Sequence, residues 1–448
     1  MGDVIQHSKA FRVRRFINWF PLGISYALLY MGRYNLTVSQ TVLGNLMPKD
    51  AFGTIFGVGA WVYAIAFLIN GPLTDKIGGK RGILIGVLGA AISNLLMGLY
   101  VWYAISLPPG TDINIVPVFV VLYAMNMYFQ SYGAVAIVKV NAHWFHVRER
   151  GTFSGIFGIM ISTGLYLAFD VSEKILKLVQ KGGSAEMEGV WWVFFTPSIL
   201  LFTFFLIELF LLKDRPSQAG FEDFDTQDAS SGEDDKAPPI FEVLKKILTN
   251  KIILTIALVE FCTGVLRNGV MHWFKIFAKE HIKAGDTVGW QYVNDNWGLM
   301  LMIAGITGGM IAGVVSDKFF QSRRPPVAAI LYGIMFFSVI LMIPFLHDGW
   351  ILGLLVFLIS ICVIGTHGVL SGTATMDFGG RKGAATAVGI IDGFVYLGTG
   401  FQSLALGFIT MRNWLFWPIF LAPFALIGVI LLVRIWNATP LKKPAAPH

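Results

Sequence analysis

The sequence predicts an all-α membrane protein, with twelve transmembrane helices arranged as two pseudo-symmetric six-helix bundles. Three observations carry that expectation. First, only 14% of the 448 residues are charged and 55% are hydrophobic, with a mean hydropathy of +0.66. A soluble chain carries roughly 25% charged residues, so this one cannot coat a water-soluble globule. Second, the chain divides into twelve mostly apolar runs, each near the roughly 20 residues that cross a bilayer. Third, one short loop sequence occurs twice, 242 residues apart.

The runs fall at 17–41, 52–73, 82–104, 114–138, 152–172 and 190–212, then at 250–275, 293–316, 326–346, 349–375, 384–410 and 414–436. Lys9, Arg12, Arg14 and Arg15 precede the first, with no small-residue cleavage site after them. That pattern reads as an anchored first helix and not as a signal peptide. The segment "GVWWVFF" (189–195) opens the sixth run and suits an aromatic interfacial belt. One long polar stretch, 213–246, is rich in acids, Ser, Gly and Pro and cannot build a core. It is expected to be a flexible linker, giving a first bundle at 1–212, a cytoplasmic linker at 213–246 and a second bundle at 247–448.

Basic residues set the orientation. With both termini cytoplasmic, the inner loops and tails hold 24 of the 34 Lys and Arg. The outer loops hold eight: Lys49, Lys174, Lys177, Lys181, Lys275, Lys279, Lys283 and Arg412. Such an asymmetry fixes topology. The formal charge of +7 is then the cytoplasmic face of a membrane protein, and no nucleic-acid partner is expected.

The repeated loop reads "GPLTDKIGGKRG" (71–82) and "GVVSDKFFQSRR" (313–324). In the first, Gly71, Asp75, Lys76 and Arg81 are the gating candidates; in the second they are Gly313, Asp317 and Lys318. The glycine is expected to let two helix ends approach. The aspartate can accept hydrogen bonds from a neighbouring helix end or from the basic residues beside it. Such loops would hold the cytoplasmic ends closed in one conformation.

Charges inside the apolar runs narrow the function. An ionisable residue at mid-span costs about 2.5–3.5 kcal/mol by insertion scales, so it should face a cavity or a partner. Arg33 and Arg267 stand 234 residues apart, close to the loop repeat, and so occupy corresponding helices at similar depths. Two guanidiniums facing each other across a pseudo-twofold axis make a site for a dianion. Each planar fork gives bidentate hydrogen bonds to phosphate or carboxylate oxygens and stays charged when desolvated. Tyr26, Tyr30 and Arg33 follow i, i+4, i+7 spacing and share one helix face. The alternative pairs each arginine with an acid; Glu260, seven residues before Arg267 on the same face, is the candidate. Asp392 could counter an arginine, accept a substrate hydroxyl or carry a proton. His367 could carry a proton, donate to phosphate or be a satisfied core histidine. Asp170 and Asp377, near helix ends, are expected in solvent.

Cys262 and Cys362 lie in apolar runs, so neither a disulfide framework nor a cysteine metal site is expected. No phosphate-binding loop, zinc motif or nucleophile elbow occurs. The expectation is therefore a non-enzyme without cofactor or metal.

The loop at 71–82 resembles that between helices 2 and 3 of the major facilitator superfamily, which implies two six-helix bundles around a central substrate cavity. Over nearly its whole length the chain also resembles the organophosphate:phosphate antiporter family. "YMGRYNL" (30–36) looks like its helix 1 segment, with Arg33 at a phosphate-binding arginine and Tyr26 and Tyr30 at cavity tyrosines. "VLRNG" (265–269) matches the helix 7 segment bearing the second such arginine, Arg267. "YFQSYG" and "HWFHVRERG" (128–133 and 143–151) match helix 4 and its exit, including Gln130, and "KDRPSQAGF" (213–221) looks like the start of the central linker. "GGRKGAATAVG" and "YLGTG" (379–389 and 396–400) match the entry to helix 11, with Tyr396 at a family position.

Relative to the glycerol-3-phosphate transporters, Phe67 stands at a helix 2 lysine, Ile161 at a helix 5 histidine, and Ala134 and Val135 at a Trp-Pro pair. His367 and Asp392 stand at Pro and Gly, and "AVGIIDG" (387–393) looks more like the eukaryotic sugar-phosphate exchangers. The resemblance implies a monomeric transporter of the bacterial inner membrane. It would exchange a small anionic substrate, an organic phosphate, for inorganic phosphate by alternating access. A proton-coupled symporter of organic anions and a non-transporting sugar-phosphate sensor stay open as alternatives.

Overall fold

In the computed structural model, residues 7–108, 111–146, 150–180, 187–224, 245, 249–321, 323–374 and 384–438 are described. Before the linker the helices are α1 (Lys9–Leu43), α2 (Lys49–Ile77), α3 (Gly79–Ser106), α4 (Val116–Trp144), α5 (Arg150–Tyr166), the short α6 (Ser172–Val179) and α7 (Trp192–Leu211). After it come α8 (Lys251–Lys283), the short α9 (Trp290–Asp295), α10 (Trp297–Phe319), α11 (Arg324–Met342), α12 (Gly349–His367), α13 (Ala384–Arg412) and α14 (Phe416–Arg434). A π-helical turn (Leu167–Val171) joins α5 to α6, and another (Gly368–Ala374) follows α12.

Among the described residues, nine helices are long and apolar enough to cross a membrane. The chain is a multi-pass integral membrane protein. The other three expected positions are filled by α1, α4 and the α5–α6 rod. Two of these carry unusual polar loads. α1 buries Arg33, Asn35, Thr37, Ser39 and Gln40, and α4 buries Asn126, Gln130, Ser131 and Asn141. Those side chains depress hydropathy because they face protein and not lipid.

Packing follows small residues. α3 places Gly79, Gly82, Gly86 and Gly89 against α4, where a Cβ on Gly89 would sit 2.1 Å from the Phe129 ring. Close backbone approach of this kind replaces the hydrophobic drive that lipid removes. α1 packs on α4, α5 and α7, while after the linker α8 packs on α12, α13 and α14, and α10 on α12. The two groups meet along α2 with α13, α5 with α10, and α1 with α8.

These meetings seal the face opposite the Gly-x-x-x-Asp-Lys loops, here called the far face; the loop side is the basic face. On one seam Gly53 and Gly57 of α2 lie against Gly407 and Gly400 of α13, and a Cβ on Gly53 would be 2.4 Å from the Ser403 carbonyl oxygen. The other seam is ionic. Asp170, expected in solvent, is only 3% exposed. Its carboxylate accepts from the backbone N–H of Gly298 (2.6 Å) and Leu299 (2.9 Å) in the first turn of α10. Helix N-termini leave such donors orphaned, and a carboxylate there contributes about 1 kcal/mol. Next to it Glu173 pairs with Lys275 and Lys279 and accepts from Asn294 Nδ2 at 3.2 Å. Lys275, assigned to an outer loop from the sequence, is thus a buried helix residue that also donates to the Asn294 carbonyl (2.7 Å). Lys177–Asp295 (2.9 Å) and Lys49–Glu280 (3.1 Å) complete the ring of charges.

On the basic face the glycines differ from expectation, while Asp317 accepts from a neighbouring basic residue. A Cβ on Gly71 or Gly313 would meet nothing within 4 Å, so neither glycine serves a close helix approach in this conformation. Asp317 pairs with Arg324 (2.9 Å), whose Nη1 also donates to Ser316 Oγ (2.9 Å). Lys76, Arg81 and Lys318 are exposed, and the side chain of Asp75 lies outside those described. The linker also departs from a free tether at its start. Asn18 exchanges two hydrogen bonds with the Lys213 backbone (2.8 and 3.1 Å). Trp144 Nε1 donates to the Lys213 carbonyl (3.1 Å), and Asp214 accepts from the Lys80 N–H (2.7 Å). Residues 213–224 are therefore held against α1, α3 and α4.

Candidate functional site

Mid-depth in α1, Tyr26, Tyr30 and Arg33 present one face, and Tyr34 follows. The Arg33 backbone is fixed first. Asn94 and Asn126 both donate to the Gly32 carbonyl (3.1 and 3.0 Å), and the Tyr123 hydroxyl donates to the Arg33 carbonyl (2.9 Å). Gly32 permits this, since a Cβ there would stand 2.8 Å from Asn94 Nδ2. Gln130 in turn donates to Asn126 (3.0 Å), which turns its Oε1 toward Arg33.

Arg33 is fully buried, and every guanidinium nitrogen is engaged by a neutral group. Nε donates to Gln130 Oε1 (2.8 Å), Nη1 to the Tyr396 hydroxyl (2.8 Å) and Nη2 to the Tyr63 hydroxyl (3.5 Å). The guanidinium also stands 4.7 Å from the Tyr30 ring centre and 4.6 Å from that of Tyr63. Tyr26 meets Tyr30 edge-on at 5.4 Å, and Tyr63 lies 4.1 Å from Tyr396. Cation–π contacts of desolvated groups contribute about 2 kcal/mol, which offsets part of the cost of burying a charge without a counterion.

Arg267 on α8 is less enclosed. It is part-exposed, and its Nε is buried without a partner. Tyr30, Tyr34 and Tyr396 border its charge, and the same three border Arg33. Among the described residues neither arginine makes an ion pair. The Glu260–Arg267 bridge offered by the sequence is absent, because seven residues of helix separate the two by about 10 Å along the axis. Glu260 instead bonds His367 of α12, Oε2 to Nδ1 at 2.9 Å, and its Oε1 has no partner. Ser371, in the π-turn after α12, donates to Asp392 of α13. Glu260, His367, Asp392 and Arg267 all lie within electrostatic reach of one another.

The structure thus gathers Tyr26, Tyr30, Arg33, Gln130, Tyr396 and Arg267 around one centre. It gathers Glu260, His367 and Asp392 beside Arg267, on its basic-face side. Asp377 lies outside the described residues. Sequence reasoning missed Tyr63 and Tyr34, whose rings in apolar helices carry no signal that separates cavity from lipid. It also missed Asn94 and Asn126, which amides inside apolar runs should have betrayed. Above the centre, Thr37 Oγ1 meets His272 Nδ1 (2.6 Å) inside a ring of Tyr34, Phe52, Phe56 and Phe169. Arg267, Tyr396, Asp392 and His367 are part-exposed at this depth, whereas Arg33 and Glu260 are fully buried. Cys262 and Cys362 are buried and free, and no described group of His, Cys, Asp or Glu could hold a metal ion.

A family model described as Major Facilitator Superfamily matches residues 22–403. A glycerol-3-phosphate transporter of Bacillus subtilis strain 168 is 27% identical, covering 96% of this chain and 93% of its own. A probable hexose phosphate transport protein of Chlamydia muridarum is 25% identical over 96% and 92%. The membrane sensor protein UhpC of Salmonella typhimurium is 22% identical over 93% and 90%. Among solved structures, a bacterial homologue of the human lysosomal transporter Spinster, inward-facing and occupied, superposes with a TM-score of 0.74. It shares 13% identity and covers 97% of this chain and 98% of its own, a likeness of fold.

Proposed function

The chain belongs to the Major Facilitator Superfamily, a family of transporters and not of enzymes, and we propose that it exchanges an organic phosphate for inorganic phosphate by alternating access. One observation carries the reading. The two arginines reach across the seam between the helix groups: Arg33 before the linker is bonded by Tyr396 after it, and Arg267 after the linker is bordered by Tyr30 and Tyr34 before it. A phosphoryl dianion between them would take bidentate bonds from both forks. The relatives named for glycerol-3-phosphate and hexose phosphate support an organophosphate as the cargo.

The working parts are a bundle at 1–212, a linker at 213–246 and a bundle at 247–448. The excess of Lys and Arg on the basic face supports a reading in which that face, and both termini, lie in the cytoplasm, with the protein a monomer of a bacterial inner membrane. The far face is then the outer gate, closed here, and substrate enters from the cytoplasm. Bound phosphoryl neutralises both arginines and favours the occluded state over the open ones. A ligand shifts such an equilibrium only by its differential affinity for the two states. An empty site keeps two uncompensated guanidiniums and resists closure, so exchange is obligatory.

The test is purified protein in liposomes loaded with labelled phosphate. External glycerol 3-phosphate or a hexose phosphate should drive label out, and label should stay inside when no external phosphate compound is given. Efflux that follows a pH gradient without a counter-substrate would convert the reading to proton symport. Saturable binding with no flux would convert it to a sensor, the reading favoured by the likeness to a membrane sensor protein.

A further inference from the structure

Resting on the phosphate-exchange reading, we infer that Glu260, His367 and Asp392 form a subsite for a neutral, hydroxylated carbon chain. The substrate is then a polyol or sugar phosphate, and phosphorylated carboxylic acids are rejected. The argument begins with position. Glu260 lies about 10 Å below Arg267 along α8, and Asp392 about 6 Å below Tyr396 along α13, both toward the basic face. A phosphoryl group held between the arginines therefore leaves its organic portion beside these side chains.

Next comes hydrogen-bond capacity. Ionised carboxylates only accept, and this pair has acceptor capacity to spare. Glu260 is fully buried, with Oε2 on His367 and Oε1 unpartnered. A buried acceptor without a donor costs about 1–3 kcal/mol, a deficit that a substrate hydroxyl would remove. Asp392 receives one bond, from Ser371, and is part-exposed. Vicinal hydroxyls supply the donors that such oxygens lack.

Charge supplies the discrimination. The phosphoryl group consumes the positive charge of Arg33 and Arg267, leaving two carboxylates against one imidazole near the organic group. A substrate carboxylate would bring a further negative charge and no donor. Like charges a few ångströms apart repel by about 4 kcal/mol at an effective dielectric of 20, and unpaired repulsive contacts are how sites reject a near-isostere.

Glycerol 3-phosphate and 3-phosphoglycerate make the test, since a terminal CH2OH in one is a carboxylate in the other. Both are titrated as inhibitors of labelled phosphate self-exchange in proteoliposomes. In the unaltered protein 3-phosphoglycerate should bind about tenfold more weakly or worse. In Asp392→Asn and Glu260→Gln that ratio should fall toward one, because one negative charge is gone. Equal inhibition by the two compounds in the unaltered protein overturns the subsite, whatever the variants do. So does an unchanged ratio in a variant that exchanges phosphate. If phosphate does not exchange at all, the transport reading fails by itself. The same two compounds titrated against the protein's tryptophan fluorescence then read the subsite, with the same ratio sustaining or sinking it.

Discussion

Arg33 and Arg267 are alike in sequence setting and unlike in surroundings. Around Arg33 three neutral acceptors and two ring faces occupy the guanidinium, and a chain of amides through Gln130, Asn126 and Asn94 fixes its backbone. Around Arg267 one nitrogen has no partner, and a cluster of two carboxylates and an imidazole lies two turns away. The first is a pre-set fork, rigid before any ligand arrives, and preorganisation of this kind reduces what binding must spend on ordering. The second is a fork with spare donors beside groups able to change charge. The difference suggests that α1 supplies geometry and α8 supplies adjustment, within a site that looks symmetric from sequence.

That contrast can be broken at several points. The largest effect should come from Arg33→Lys and Arg267→Lys, each lowering phosphate exchange by about 100-fold or more, since lysine is a point charge without a fork. Flux per mole of reconstituted protein measures it, and full activity in either variant would remove the dianion site. Next, Arg33→Leu should lower the melting point of the empty protein more than Arg267→Leu does. Only the former orphans the buried Gln130 oxygen, at about 1–3 kcal/mol; equal melting points would erase the distinction drawn here. A smaller loss is expected for Gln130→Leu, about tenfold in phosphate affinity with turnover largely kept, because Arg33 loses its orienting acceptor. A fall in turnover alone would argue against that positioning role. Smallest is Tyr396→Phe, a few-fold in affinity, or about 1 kcal/mol for one hydrogen bond. Its effect should vanish in the Arg33→Lys background, where the bonded partner is already changed.

Much of the fold was legible because lipid imposes it. Apolar length gave the helix positions, and charges in apolar runs announced Arg33 and Arg267 at once. Three helices, α1, α4 and the α5–α6 rod, were legible as runs although they fall outside the nine helices that qualify by hydropathy. What sequence could not reach were partners far apart in the chain. Asp170 looked solvated because the helix it caps starts 127 residues later, at Trp297. Glu260 was matched to Arg267 because both lie on one helix, whereas its partner is His367, 107 residues away. The far-face pair Glu173–Lys275 spans 102 residues and joins groups that nothing in the sequence links. Local spacing reveals faces of helices; it does not reveal which face meets which.

The two bonds between Asn18 and Lys213 bear on where the chain could be cut. They tie the chain after α7 to the helices that precede it, so residues 213–224 stay with the first group of helices past the close of α7. A gene split after 224 would give two polypeptides, neither losing any contact described for its own helices. Their reassembly would depend on the glycine seam, the ionic seam and the tyrosines between the arginines. Co-expression of the two pieces would thus ask whether those surfaces recognise each other without covalent help.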